Sequence, residues 1–337
     1  MNFLSVGDMA QTFQMRRHNV DLQQQLQRLS GELTSGTKSD LAEAVSGDFK
    51  ALAGIERSLA MLASYRAVGA EVAHLTGSLQ TALETAQDMV EEIAPNMLSA
   101  ASSGDPVLVG TLAADARQKF HAVVATLNVQ VADRYLLSGA ATDQKPISGS
   151  QGILDALMLA TAGQTSSAGV VAVVTNWFDA PYGGGGYLDT VYGGSATPLA
   201  PFRIGEGDFA QMDVTAADPA MRDLLKSLAL GAIMAEGALP APAGERAALA
   251  LAAGEGLVTS ASGISALRAR IGTVEGHLEQ STVRNAAEAS ALEIARSTIV
   301  AADPYETASA LEAVQTQIET LYTLTARLSR LSLADYL

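Results

Sequence analysis

Cysteine is absent from the 337 residues, which excludes disulfides and thiolate metal sites. Aromatics make up 5%, with a single Trp. So few rings suit long helices packed through small side chains better than a large aromatic core. Basic residues are scarce: 21 Lys and Arg stand against 36 Asp and Glu, a net charge of −15. Phosphate binding needs a basic face, so nucleic acid is not an expected partner, and an anionic membrane surface is disfavoured for the same reason. No apolar run approaches the roughly 20 residues of a membrane-spanning helix, so no membrane insertion is expected. Met1 to Ser30 mixes Gln, Arg and Asp where a secretory signal has a continuous apolar core. If the chain leaves the cell, the expected route cleaves no signal peptide.

Catalytic patterns are also missing. The nearest approach to a nucleophile elbow, Gly193-Gly194-Ser195-Ala196-Thr197, fails the spacing. Gly183 to Gly186 is not followed by a clear helix, and no Gly-Lys-Ser/Thr occurs, so a phosphate loop is not expected. His18, His74, His121 and His277 are isolated within helical tracts, without the paired spacing of a zinc site. Acidic residues are scattered as on solvated helix faces, and no Asp-x-Asp-x-Asp calcium loop is present. No catalytic, cofactor-binding or metal residues are expected, no cofactor is called for, and the reading is of a non-enzyme.

What is present is helical periodicity at both ends. Asp303-Pro304-Tyr305-Glu306 is a helix start: Asp303 caps, Pro304 fits the first turn, and Glu306 stands at the capping-box position. Leu311, Val314, Ile318, Leu321, Leu324 (or Thr325), Leu328 and Leu331 then follow at spacings of mostly three and four, the seam of a coiled coil. Phe13 to Leu33 is a matching tract, with Phe13, Val20, Leu22, Leu26, Leu29 and Leu33 on its apolar side. Thr34 to Asp40 interrupts it with turn residues. Such stripes most often form a monomer's own core. Chain ends usually fray, however, so seams placed there point to docking, including docking against further copies. The expected assembly seam is Leu22, Leu26, Leu29, Leu33, Leu311, Val314, Ile318, Leu321, Leu328 and Leu331.

A second tract runs from about Leu41 to Ser99, with Pro95 expected to kink or end it, and a third from Leu108 to about Leu137. From Gly139 to about Gly256 the chain carries most of its Gly and Pro. There, Val170 to Trp177 reads as a buried strand, Tyr182 to Tyr187 as a loop or wide hairpin, and Phe202-Arg203-Ile204 as a strand entering a turn. Asp218-Pro219 caps a helix through Leu224, Leu228 and Ile233, and Glu236 to Glu245 reads as a linker. Heptads resume at Leu249 or Leu257. The expected fold is mainly α: a long antiparallel coiled-coil bundle built from both chain ends, with a mixed α/β or β-rich central insert. The expected domains are residues 1–38 with 301–337 as terminal assembly helices, 39–140 with 257–300 as a helical rod, and 141–256 as the insert.

The order of several motifs resembles the bacterial flagellin family, and within it the subunits that join hook to filament. Leu26, Leu29, Ser30, Leu33, Ser35, Gly36 and Lys38 are similar to its N-terminal leucine-serine-glycine segment. Arg134-Tyr135-Leu136-Leu137-Ser138-Gly139 resembles the motif that ends its N-terminal half. Tyr192-Gly193-Gly194 with Phe202 to Gly207 resembles a strand and turn of the outer domain, and Arg268, Ile271 and Gly272 an arginine–glycine element. Asp303, Glu306 and Leu311 resemble the start of the terminal helix, and Leu331 to Leu337 the junction subunits' tail. Asp40-Leu41-Ala42 departs from the family's paired aspartates and proline.

The resemblance implies a structural, secreted subunit of the bacterial flagellum. Its terminal helices would self-assemble as coiled coils, and the insert would face outward. Its partners would be copies of itself, neighbouring hook-associated protein and flagellin, and an export chaperone holding the C-terminal helix. A flagellin forming the filament itself is the alternative within the family. Outside it stands a soluble coiled-coil sensor with a ligand-binding insert.

Overall fold

A computed structural model describes residues 6–239 and 242–334. The chain is mainly helical, and it divides into two compact units: Met1–Ala63 with Ala286–Leu337, and Ser64–Asn285. Helix α1 covers Val6–Ser35, α2 Leu41–Ala44, α3 Lys50–Ser103 and α4 Pro106–Leu127. A small hairpin follows, β1 (Gln130–Val131) with β2 (Arg134–Tyr135), then α5 (Ser150–Ala160), α6 (Ser167–Asp179) and α7 (Tyr187–Thr190). Next come the hairpin β3 (Phe202–Gly205) and β4 (Asp208–Ala210), α8 (Pro219–Ala235), α9 (Ala243–Val300) and α10 (Pro304–Ala334).

The second unit is built around α8. Asp218 caps this helix, its carboxylate accepting from the Ala220 N–H at 3.2 Å, and Pro219 fills the first turn. Met221, Leu224, Leu225 and every residue from Ser227 to Met234 are buried, so nearly the whole circumference of the helix faces protein. It packs against α4, α5 and α6. Small residues allow close approach. An added Cβ at Gly231 would lie 2.7 Å from the Ala116 Cβ on α4. One at Gly256 of α9 would lie 2.5 Å from the Ser227 Oγ, and one at Gly263 3.1 Å from the Ala220 Cβ. The pairs 256 with 227 and 263 with 220 run in opposite directions, so α8 and α9 are antiparallel. The two contacts repeat every seven residues, the heptad interval.

Among the described residues the β-sheet content is two short antiparallel hairpins. The expected strand and turn at Phe202 to Gly207 is β3 and its turn. This hairpin is fastened along one face of α9. Ser281 Oγ and Asn285 Nδ2 both donate to the Ile204 carbonyl, at 3.1 and 2.7 Å, while Asp208 meets His277 at 2.7 Å and also Arg284. Arg203 of β3 stands over the Tyr65 ring of α3 at 5.5 Å.

Several local expectations are corrected. Val170 to Trp177 lies in a helix, α6, and not in a strand. Ser166 caps it, and Val170, Val174 and Phe178, four residues apart, form its buried face, so helical period prevails over β-branched composition. Pro95 does not end α3, which continues to Ser103. The third tract ends at Leu127, where the β1–β2 hairpin begins. Helix α9 is already under way at Ala243, inside the expected linker and ahead of the heptads expected from Leu249 or Leu257. An 18-residue window of α9, at mean hydropathy 1.3, is apolar enough to cross a membrane by length and composition, and no window of that kind was expected. Leu249, Leu257 and Ile264 of this helix lie in the core of the second unit.

Candidate assembly interface

The leucine-serine-glycine segment closes α1. Gly36 adopts φ +70°, the left-handed conformation that ends helices, and its N–H donates to the Glu32 carbonyl at 2.8 Å. The chain then runs beside the segment before α10. Thr37 and Ala301 form an antiparallel bridge, the Lys38 N–H donates to the Val300 carbonyl at 2.9 Å, and the Ala302 N–H donates to the Gly36 carbonyl at 3.0 Å. The Glu32 carboxylate, buried at 9% exposure, accepts from the Ser39 N–H at 2.9 Å. Sequence reasoning missed this side chain, because nothing in a helical glutamate announces a backbone partner seven residues on.

Asp303 starts α10 as expected, accepting from the N–H groups of Tyr305 at 2.8 Å and Glu306 at 3.0 Å. Among the described residues, Glu306 makes no reciprocal bond to the Asp303 N–H, so the capping box is half formed. Where the family's aspartates and proline are missing, Asp40 caps the short α2, accepting from Ala42 and Glu43 at 2.9 and 3.1 Å.

Because the end of α1 is tied to the start of α10, the two helices run antiparallel. Leu22, Leu29 and Val314 form a buried cluster. Leu26, Leu311, Ile318 and Leu321 pack against it half-buried. Leu33 is 40% exposed. Leu328 and Leu331 lie on the α10 backbone, but their side chains fall outside the described residues, as does the tail from Asp335. The structure therefore brings seven of the ten seam residues together within one chain, and only three of the seven are covered. Among the described residues of this unit, the buried apolar ones are Leu22, Leu29, Leu52, Leu62, Val300, Ala302 and Val314. Apolar burial contributes about 25 cal/mol per Å², so a seam half open to water retains much of its driving force for further association.

The other flagellin-like motifs are structural corners of the second unit. Leu137 and Ser138 are buried, and the Ser138 Oγ donates to the Gln144 carbonyl at 2.6 Å. Gly139 takes φ +58°, and a Cβ there would sit 2.6 Å from the Thr197 carbonyl oxygen. Arg268 of α9 reaches Gln80 at 3.3 Å, Gln87 at 3.1 Å and Glu84 at 3.3 Å, all on α3. The glycine loop after Tyr182 is organised by Asp189, whose carboxylate accepts from the Gly183 and Gly185 N–H groups at 2.9 and 2.7 Å. Those bonds hold its pKa below the ordinary value. Of the four histidines, His121 bonds Ser150 at 2.7 Å and His277 pairs with Asp208. Among the described residues no group of three or more His, Cys, Asp or Glu is placed to hold a metal ion.

Residues 256–337, the last part of α9 and the whole of α10, match the family model of the bacterial flagellin C-terminal helical region. The match supports a structural subunit of the bacterial flagellum, with the flagellar, extracellular location such a subunit has. No curated protein sequence matches the chain.

Proposed function

We propose that the chain is a structural flagellar subunit that joins hook to filament, the position held by hook-associated protein 3, and that it assembles with copies of itself through α1 and α10. The observation that carries this reading is the half-covered seam between the two chain ends, whose α10 side lies in the stretch that matches the flagellin C-terminal helical region. The seam positions Leu22, Leu26, Leu29, Leu33, Leu311, Val314, Ile318, Leu321, Leu328 and Leu331 are the assembly residues of this proposal. Its partners are neighbouring copies, an adjacent hook-associated protein and flagellin, with an export chaperone covering α10 before secretion. Export leaves no cleaved signal.

Deleting Leu324 to Leu337 tests this. The truncated chain keeps the cooperative melting of residues 64–285, a unit whose core α8 organises, and is lost from purified flagella. Normal incorporation of the truncated chain defeats the proposal. The ending Leu331 to Leu337 favours the junction over the filament. Quantitative immunoblotting of flagella separates the two: few copies for a junction ring, very many for a filament.

A further inference from the structure

Both terminal helices carry a second stripe, turned away from the seam. On α1, Phe13 and Val20 stand seven residues apart and are 67% and 51% exposed. With about 3.6 residues per turn, Val20 lies nearly opposite the buried Leu22. Arg16 and Arg17 flank this stripe on either side, and both are exposed. On α10, Tyr305, Glu312 and Glu319 repeat at seven residues, all exposed, with Tyr305 at 84%. Glu312 likewise lies nearly opposite the buried Val314. Among the described residues the ion pairs of this unit are Arg28 with Glu43 and Arg296 with Glu56, so Arg16, Arg17, Glu312 and Glu319 stand outside any pair. Asp21 on α1 and Arg327 on α10 border the stripes at their edges.

One stripe is therefore apolar and cationic, and the other aromatic and anionic. Neither complements itself, but each complements the other. Within one chain both point away from the α1–α10 contact, so they cannot meet there. We propose that the outer stripe of α1 on one copy docks on the outer stripe of α10 on the next, with Arg16 and Arg17 opposite Glu312 and Glu319. A contact between two unlike faces is heterologous: it propagates around a ring or along a helix instead of closing as a twofold dimer. The charges set which face meets which, and the apolar pair and tyrosine lose water on contact. The inference rests on the reading that the terminal helices assemble, and it adds the direction in which they do so.

Charge reversal in full-length chains, produced in a strain lacking the wild-type copy, tests it. Arg16→Glu with Arg17→Glu, and separately Glu312→Arg with Glu319→Arg, each lower the amount recovered in purified flagella at least tenfold. Co-expressing the two variants restores recovery, because each supplies the face that the other needs, and so does placing all four substitutions in one chain. Leu22→Asp is the control: it loses assembly and no charge swap rescues it. Wild-type recovery of either single reversal, or no rescue on combination, overturns the inference. If Leu22→Asp is recovered normally, or the wild-type chain is missing from flagella, the assembly reading itself falls.

Discussion

Among the described residues, Ser46, Ala132, Asp133 and Leu239 hold positive φ without being glycine. The β1–β2 hairpin turns through Ala132 and Asp133, at φ 48° and 61°. A two-residue turn of this kind needs positive φ at both positions, for which Asn-Gly is the favoured pair. Asp tolerates this conformation, as Asn does, but the Cβ of Ala132 is costly there. Ala132→Asn with Asp133→Gly should raise stability by about 1 kcal/mol, read from the urea midpoint. The opposite holds where helices touch. Gly256→Leu forces a branched side chain against Ser227 and should cost about 1–3 kcal/mol by the same measurement. At Asp189 the folded-state pKa is lowered by the Gly183 and Gly185 N–H groups. The carboxylate's contribution is therefore fully present above the ordinary value of 3.8 and fades as pH falls through the lower folded value. The stability gap between the wild type and Asp189→Asn should be constant near neutral pH and close in acid, as followed by urea unfolding at several pH values.

At the scale of the element, the signals with a local mechanism were legible in the sequence. Asp218-Pro219, Asp303-Pro304 and the Phe202 to Gly207 turn each act within a few residues, and each stands where expected. Elements set by distant packing were not legible. Val170 to Trp177 is rich in β-branched side chains, yet its burial at every fourth residue against α8 makes it a helix. Pro95 was expected to kink or end α3, but the helix keeps its buried face through Ile93, Ala94 and Met97 and continues to Ser103. Within the seam, spacing identified the face, and Leu22, Leu29 and Val314 lie at its centre. Exposure at Leu33 reflects its place at the helix end, which spacing does not encode. Changing Ile318 and Leu321 together to Asp should abolish recovery in flagella and leave the thermal midpoint of the second unit within about 2 °C of wild type. An equal loss of both would make the seam an ordinary monomer core.

At the scale of the whole chain, apolar burial is unevenly distributed. The Ser64–Asn285 unit holds one extensive core, running from Leu79 through α8 to Ile271. Among its described residues, the terminal unit holds a three-residue cluster with half-buried neighbours. Opening free energy follows buried apolar area, so the two units should differ in protection of their backbone N–H groups. Hydrogen exchange on the full-length chain, isolated and then within purified flagella, tests the central claim most directly. The account predicts fast exchange over Phe13–Leu33 and Tyr305–Leu321 in the isolated chain, slow exchange on α8, and a gain of protection on assembly concentrated in those two terminal segments. Terminal helices already as protected as α8 in the isolated chain, and unchanged on assembly, would contradict it.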